Sequence, residues 1–211
     1  GSGPDIYERT LVPLWFGRWA EALLAQVSLA PGERVLDVAC GTGITTRLAK
    51  RAVGDDGHVT GLDNNAGMLA MAHSLAAELD ITWVERDAVD TGLPSDSVDA
   101  VISQHGYHYF PDQAAALAEF HRILVPGGRI AVSIWDGHSV YTKALCAALK
   151  CISLRGSPES NAPRDKPRRP GRWRTACQQP GSTMFPWCGR NCRSTSRWPR
   201  TSFRFIWLPC R

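Results

Sequence analysis

The segment RVLDVACGTGITTRLAK, residues 34–50, constrains the fold more than any other part of this 211-residue chain. A short β-branched run leads into a glycine turn, and a helical pattern follows at once. Gly41 and Gly43 permit positive φ angles and let the backbone approach a ligand closely. The helix after them presents unpaired N–H groups to an anionic group. This order of elements predicts one unit of a parallel sheet with a ligand at its carboxyl end.

Strand and helix patterns alternate through residues 6–150, which we predict to be one domain. The predicted strands are 34–40, 58–63, 81–88, 100–106 and 129–136, and the predicted helices are 11–29, 44–53, 65–79, 112–124 and one that begins at 141. Such alternation favours a parallel sheet with helices on both faces. With right-handed crossovers, the prediction is an α/β fold, a Rossmann-like, doubly wound, mostly parallel sheet.

Three positions describe the expected ligand. Asp63 stands at the tip of the second strand, where a carboxylate accepts both hydroxyls of a ribose. The third glycine of a dinucleotide-binding turn is replaced by Thr46, which disfavours an NAD-dependent oxidoreductase. Asp37, inside the first strand, would repel a pyrophosphate and suits a ligand with a cationic part. S-adenosylmethionine has that makeup: a ribose, a sulfonium and an amino acid end, without phosphate.

Four motifs carry a family resemblance: VLDVACGTG at 35–43, GLDNNAGML at 61–69, RDA at 86–88 and VPGGRIAVSIW at 125–135. Together they resemble class I S-adenosylmethionine-dependent methyltransferases, and most closely the small-molecule group of ubiquinone and menaquinone biosynthesis. The resemblance covers residues 6–150. It implies S-adenosyl-L-methionine as cofactor, S-adenosyl-L-homocysteine as product, and a small, apolar or aromatic methyl acceptor.

The resemblance also assigns residues to the cofactor. They are Asp37, Ala39, Gly41 and Gly43 at its methionine end, Asp63, Asn64 and Met68 beside the ribose and adenine, Asp87 and Ala88 at the adenine ring, and Gln104 at the end of the fourth strand. For Met68 and Gln104, a purely structural position is an equal alternative. No metal site is expected.

Catalysis of methyl transfer depends mainly on positioning and on exclusion of water. The segment QHGYHYF after the fourth strand offers His105 and His108 as candidate bases for an acceptor that must lose a proton. The alternative for both is an ordinary loop histidine. Trp15, Phe16 and Trp19 would form either a lid over the cofactor or, as we favour, the apolar face of a docking helix.

Residues 151–211 differ in composition from the rest of the chain. They carry 13 basic and two acidic side chains, against 11 and 18 in residues 1–150, and they hold five of the seven cysteines. A basic, aromatic segment of this kind can bind nucleic acid. A zinc site is weakly indicated, because the spacing of Cys177, Cys188, Cys192 and Cys210 fits no established pattern.

We favour a third interpretation, an out-of-frame translation that begins near residue 150. In the neighbouring frame, the codons allowed for residues 181–189 permit a glycine followed by valines alternating with small polar residues, which resembles a late strand of the family. On this hypothesis nucleic acid is not a partner, and no strand follows the fifth. The fifth strand would then be an exposed edge that invites homo-oligomerisation or domain exchange. Turnover would be impaired, so a non-catalytic S-adenosylmethionine-binding protein is the alternative function.

The remaining expectations concern the N-terminus and location. Gly1–Gly3 resemble the scar of a cleaved tag, and we expect residues 1–5 to be disordered. No apolar run is long enough to span a membrane, and Cys40 and Cys146 lie in apolar segments typical of reduced core cysteines. These features predict a cytoplasmic protein.

Overall fold

The structure, a computed structural model, describes residues 2–135 and the backbone of residues 203–209. The chain divides into two compact units, of which the first comprises residues 1–134, 188–196 and 205–211 and the second residues 135–187 and 197–204. Almost all described residues belong to the first unit. The predicted helix from residue 141, Cys146 and most of the basic segment lie outside the described residues.

The described helices and strands follow the alternation expected from the sequence. The helices are α1 (Gly3–Ile6), α2 (Gly17–Val27), α3 (Ile44–Val53), α4 (Ala66–Leu75) and α5 (Gln113–Ile123), with a π-helical segment at Tyr7–Phe16 and a 3₁₀ turn at Tyr107–Tyr109. The strands are β1 (Arg34–Val38), β2 (His58–Asp63), β3 (Thr82–Glu85), β4 (Val98–Gln104), β5 (Leu124–Trp135) and β6 (Phe203–Pro209).

The sheet has the order β3-β2-β1-β4-β5-β6. β1 pairs in parallel with both β2 and β4, β2 with β3, and β4 with β5. The chain moves from β1 towards β3 on one side and from β4 towards β5 on the other, so right-handed crossovers place α3 and α4 on the face opposite to α5. The predicted α/β doubly wound sheet is confirmed.

The main core lies between this sheet and the helices α2 and α3. It contains Leu23, Val27, Val35, Ala49, Val53, Val59, Ala100, Ile102 and Ala131, all of them buried. Because both faces of a parallel sheet are covered, its central strands read as continuous apolar runs. Asp37 interrupts the run of β1 and is fully buried, which marks it as a position with a specific task.

The described N-terminal residues are helical, and the disorder predicted for residues 1–5 stays a prediction. Gly3–Ile6 form a helical turn whose first N–H groups are capped by the hydroxyl of Ser2, which accepts from the Asp5 N–H. Helical structure then continues through the π-helical segment, which contains Pro13, to the end of α2. We refer to residues 3–16 as the N-terminal segment.

The prediction that no strand follows β5 is wrong, because residues 203–209 form β6 beside it. β5 is therefore an inner strand, and the exposed edge predicted there is absent. The out-of-frame origin of residues 151–211 stays a prediction.

β5 also begins earlier than expected. The VPGG sequence predicted as a loop is part of the strand, and a register shift against Val98–Ala100 accommodates it. Within residues 2–135 and 203–209, we find no helix with the length and apolarity needed to cross a membrane. The cytoplasmic location stays a prediction.

Candidate cofactor-binding site

The glycine turn between β1 and α3 has the positive φ angles that its sequence predicts. Ala39 and Gly41 have φ values of 56°, and Gly43 has a φ of 79°. A Cβ at Gly41 would meet nothing within 4 Å, so this residue faces open space. A Cβ at Gly43 would lie 2.6 Å from a ring carbon of Trp83. Gly41 therefore leaves room for a ligand, whereas Gly43 is required by packing inside the protein.

Asp63 lies at the carboxyl end of β2, directly beside the glycine turn. Its Oδ2 accepts from the Gly41 N–H at 2.8 Å, and its Oδ1 accepts from the Asn65 N–H at 2.9 Å. These two bonds fix the carboxylate, whose remaining lone pairs can accept further donors. A carboxylate held in this way matches the ribose-binding role predicted for Asp63.

A cleft of about 210 Å³ opens at the carboxyl ends of β1, β2 and β4. It brings together half of the predicted cofactor residues, namely Ala39, Asp63, Asn64, Asp87 and Ala88. The other residues around it are Val38, Leu62, Arg86, Gly106, Tyr109, Phe110 and Pro111. Carboxylates at two strand ends with apolar surface between them suit a nucleoside.

Asp37 lies deeper, below the glycine turn. Its Oδ2 accepts from the hydroxyl of Thr46 at 2.7 Å, whereas its Oδ1 is buried with no hydrogen-bond partner among the described residues. Burial raises the pKa of this carboxyl to about 7, against the opposing effect of the Thr46 hydrogen bond. An orphaned buried acceptor of this kind fits a ligand that supplies a donor or positive charge, as the amino acid end of S-adenosylmethionine does.

Three other predicted residues have structural contacts. Gln104 uses both ends of its amide within the protein, since Oε1 accepts from the Thr45 hydroxyl at 2.6 Å and Nε2 donates to the Phe16 carbonyl at 2.8 Å. Met68 is half-buried on α4 and is not part of the cleft surface. Together with Gly43, these residues position the site. Their roles as direct contacts of the cofactor stay predictions.

The two candidate bases differ in environment. His105 has a φ of 57° and is buried against Phe16 and Trp19, with ring centroids 5.9 and 5.0 Å away. Burial, assisted by His108, lowers the pKa of His105 to about 3. His108 lies at the surface in the 3₁₀ turn with its ring tilted against that of Tyr109, and partial burial lowers its pKa as well. A group with a pKa near 3 is a weak base, so the burial of His105 disfavours it as the group that accepts a proton.

The N-terminal segment approaches the same site, which the sequence indicated only through the alternative of an aromatic lid and not for Tyr7 or Glu8. Burial raises the pKa of the Tyr7 hydroxyl, and the carboxylates of Glu8, Asp63 and Asp37 raise it further. Tyr7 therefore lies near both predicted cofactor carboxylates. Its ring stacks on that of Phe16, 4.9 Å between centroids. The aromatic residues Trp15, Phe16 and Trp19 pack on one another and on His105, which agrees with the docking face that we favoured.

The cleft is smaller than a pocket that encloses a whole cofactor, for which about 300–1,000 Å³ is usual. Glu8 lies at the glycine turn, where it accepts from the Thr42 hydroxyl, and Tyr7 lies near Asp63, but neither residue is part of the cleft surface.

Known proteins resemble this chain over the same region. Residues 35–128 match the family described as "Methyltransferase domain". The chain is 35% identical over 147 residues to a 2-phytyl-1,4-naphtoquinone methyltransferase of Synechococcus elongatus, a match that covers 66% of this chain and 62% of the relative. The chain therefore spans less than two thirds of that relative's length.

Two solved structures share the fold. An S-adenosylmethionine-dependent methyltransferase from Mesorhizobium loti is 33% identical with a TM-score of 0.51, over 56% of this chain and 54% of the other. The [4+2]-cyclase SpnF is 26% identical with a TM-score of 0.53, over 58% and 46%. With the sheet order and the glycine turn, these matches confirm the resemblance: residues 35–128 form a methyltransferase domain of the class I, S-adenosylmethionine-dependent type.

Proposed function

We propose that this protein binds S-adenosylmethionine and transfers its methyl group to a small apolar or aromatic acceptor. The observation that carries the proposal is the Asp63 carboxylate, held by two backbone N–H groups at the edge of a cleft that also contains Asp87. A quinone-type acceptor is the class suggested by the Synechococcus relative, which is a 2-phytyl-1,4-naphtoquinone methyltransferase.

The bound cofactor supplies an activated methyl group, and the protein's own residues bind and shield it. Asp63 would hold the ribose hydroxyls, Asp87 the adenine amino group, and the buried Asp37 Oδ1 would balance positive charge at the amino acid end. The apolar surface of Leu62 and Phe110 excludes water from the cleft. No side chain needs to act as a base when the acceptor already has a nucleophilic atom.

Calorimetric titration with S-adenosylhomocysteine tests cofactor binding directly. We expect a micromolar dissociation constant for the parent protein and a loss of about 50-fold or more for Asp63→Ala, because two charge-assisted hydrogen bonds are removed. The matched control is Asp56→Ala, which removes an exposed carboxylate outside the cleft and should leave affinity unchanged. Absence of binding by the parent, or equal loss in both variants, would overturn the proposal.

Transfer itself needs a separate assay, with methyl-labelled cofactor and hydroquinone or phenol acceptors. Label recovered in an acceptor extract, and lost in Asp63→Ala, would support methyl transfer. Parallel titration with NADH examines the dinucleotide alternative, which Thr46 disfavours because its fully buried side chain stands where the third glycine would be.

A second candidate is a cofactor-binding protein that transfers no methyl group. The observation in its favour is that the [4+2]-cyclase SpnF shares the fold, since a cyclisation is a reaction without methyl transfer. This candidate predicts normal S-adenosylhomocysteine binding with no label in any acceptor. Single-turnover formation of S-adenosylhomocysteine from S-adenosylmethionine, followed by chromatography, separates the two candidates.

A further inference from the structure

Glu8 of the N-terminal segment reaches across to the glycine turn. Its Oε2 accepts from the Thr42 hydroxyl at 2.5 Å, and its Oε1 accepts from Arg47 Nη2 at 2.7 Å. The ion pair is well shielded, with side-chain exposures of 10% for Arg47 and 16% for Glu8. Shielded pairs of this kind are costly to break on one side, because the remaining charge is left unpaired.

Arg47 closes the arrangement into a ring. Its Nη1 donates to the carbonyl of Thr42 at 2.7 Å, so Thr42 is held through both its hydroxyl and its backbone. Thr42 lies between Gly41 and Gly43, the residues with positive φ, and the Gly41 N–H in turn donates to Asp63. Glu8 is therefore connected to the predicted ribose carboxylate through its hydrogen bonds to Thr42 and Arg47, the backbone of the turn and the Gly41–Asp63 hydrogen bond.

The same contact fixes the position of Tyr7. This residue precedes Glu8 and lies near Asp63 and Asp37, so anchoring Glu8 keeps Tyr7 close to these two carboxylates. The far end of the π-helical segment is tied separately, by Gln104 to the Phe16 carbonyl. Glu8 and Gln104 are thus polar anchors at opposite ends of this segment. Release of Glu8 would free the residues near Asp63 and leave the other end attached.

We propose that Glu8 and Arg47 are positioning residues that clasp the N-terminal segment onto the glycine turn and thereby set how long the cofactor stays bound. The clasp rests on the proposed cofactor use. It follows from the contacts of Glu8 with Thr42 and Arg47, which hold the N-terminal segment against the glycine turn whose Gly41 N–H donates to Asp63, so that opening of the segment would loosen the turn. Neither residue needs to touch the cofactor.

The test compares Glu8→Gln, Arg47→Gln and their double variant with Asp5→Asn. The control breaks the exposed pair of Asp5 with Arg9, 2.7 Å apart, in the same segment but away from the turn. In the cofactor-free protein, we expect faster amide hydrogen exchange in residues 7–16 and 41–44 for Glu8→Gln, Arg47→Gln and the double variant, but not for Asp5→Asn, because local opening becomes easier when the clasp is lost. Exchange equal to that of the parent and of Asp5→Asn would overturn the clasp.

The second readout is displacement of labelled S-adenosylhomocysteine. We expect the dissociation rate to rise about tenfold in each single variant, with no fall in the association rate, since changes within one interface act mostly on dissociation. The double variant should release the ligand at the same rate as the single variants, because all three lack the contact between Glu8 and Arg47. Glu8→Asp keeps the charge on a shorter side chain, so its dissociation rate should lie between those of the parent and of Glu8→Gln. It also serves as the folded reference if Glu8→Gln has a low melting temperature.

The outcomes separate the two proposals. A parent protein that binds S-adenosylhomocysteine, together with a Glu8→Gln variant that releases it at the parent rate, overturns the clasp alone. If the parent protein does not bind S-adenosylhomocysteine, the proposed function is overturned. The proposed role of the clasp in retaining the cofactor is then overturned as well. Additive effects of the two single variants would show that Glu8 and Arg47 do not act as one unit, which also overturns the clasp.

Discussion

The hydroxyl of Thr46 donates a hydrogen bond to Oδ2 of Asp37, 2.7 Å away, in the interior of the sheet. The backbone of Thr46 also hydrogen-bonds this carboxyl, whereas Oδ1 of Asp37 has no partner among the described residues. Thr46 also stands at the place of the third glycine in a dinucleotide-binding turn. The residue that departs from that pattern is therefore the residue that stabilises a buried carboxylate.

We expect Asp37 to make the cofactor-free protein less stable as the pH rises from about 4 to about 7. Its pKa of about 7 in the folded state lies above the ordinary value of 3.8. Because folding favours the protonated form, the stabilising contribution is complete below 3.8 and is lost as the pH approaches 7. Asp37→Asn, which cannot ionise, should therefore melt progressively higher than the parent across this window.

The difference in melting temperature between the parent protein and Asp37→Asn isolates the contribution of Asp37. His105, with its lowered pKa, contributes in the opposite direction, since its stabilisation is present above pH 6.5 and is lost as the pH falls towards 3. That contribution is common to both proteins and cancels in the difference between their melting temperatures. A difference that stays constant from pH 4 to pH 7.5 would contradict the prediction.

Gly41 and Gly43 should respond differently to substitution by alanine. Gly41→Ala introduces a methyl group into open space, so we expect a stability loss of about 1 kcal/mol from the positive φ and a loss of S-adenosylhomocysteine affinity of about tenfold or more. Gly43→Ala places a Cβ 2.6 Å from Trp83, and we expect strain and overpacking to cost about 2–4 kcal/mol in total. Thermal melts and calorimetry measure both quantities.

Gly32→Ala is the control for backbone strain. Gly32 has a φ of 82° with open space around its Cβ position, and it precedes β1, away from the cleft. It should lose stability as Gly41→Ala does and keep full affinity. If Gly32→Ala and Gly41→Ala bind equally well, Gly41 does not face the cofactor.

Sequence patterns located the elements around the glycine turn accurately, because their limits are set by local chemistry. The predicted helix 44–53 and strand 58–63 have the observed bounds, and glycines with positive φ flank α3 at Gly43 and Gly54. The start of β5 was missed, since VPGG has the composition of a turn and is held in the strand by a register shift opposite β4.

Contacts between distant residues account for what the sequence did not predict. Glu8 and Arg47 are 39 positions apart, and neither stands in a pattern that distinguishes it from an ordinary surface charge. Asp63 was predictable because its place at a strand end follows from the alternation of elements. Gln104 shows the limit of this reasoning: its position at the end of β4 was correct, but its amide is engaged by Thr45 and Phe16.

Gln104→Met should destabilise the protein through the loss of both amide contacts. The Thr45 hydroxyl and the Phe16 carbonyl would each lose a partner, and we expect a cost of about 1–3 kcal/mol, or roughly 3–10 °C in melting temperature. Gln26→Met, an equivalent change at an exposed position of α2, should shift the melting temperature by less than about 2 °C. Similar melting temperatures for the two variants would show that the Gln104 contacts contribute little.

His105→Asn should leave the chemistry of methyl transfer largely intact. Asparagine tolerates the positive φ of this position, so the backbone is preserved while the imidazole is removed. Burial against Phe16 and Trp19 keeps His105 neutral, and with a pKa of about 3 it does not titrate where an enzyme of this kind would be assayed. We therefore expect the pH profile between 5 and 8 to be unchanged and the rate to fall by less than about tenfold, below the effect of removing a general base. In the parent protein, the His105 ring proton resonances should not shift over the same range. A loss of more than about 100-fold together with an altered pH profile would identify His105 as the base after all.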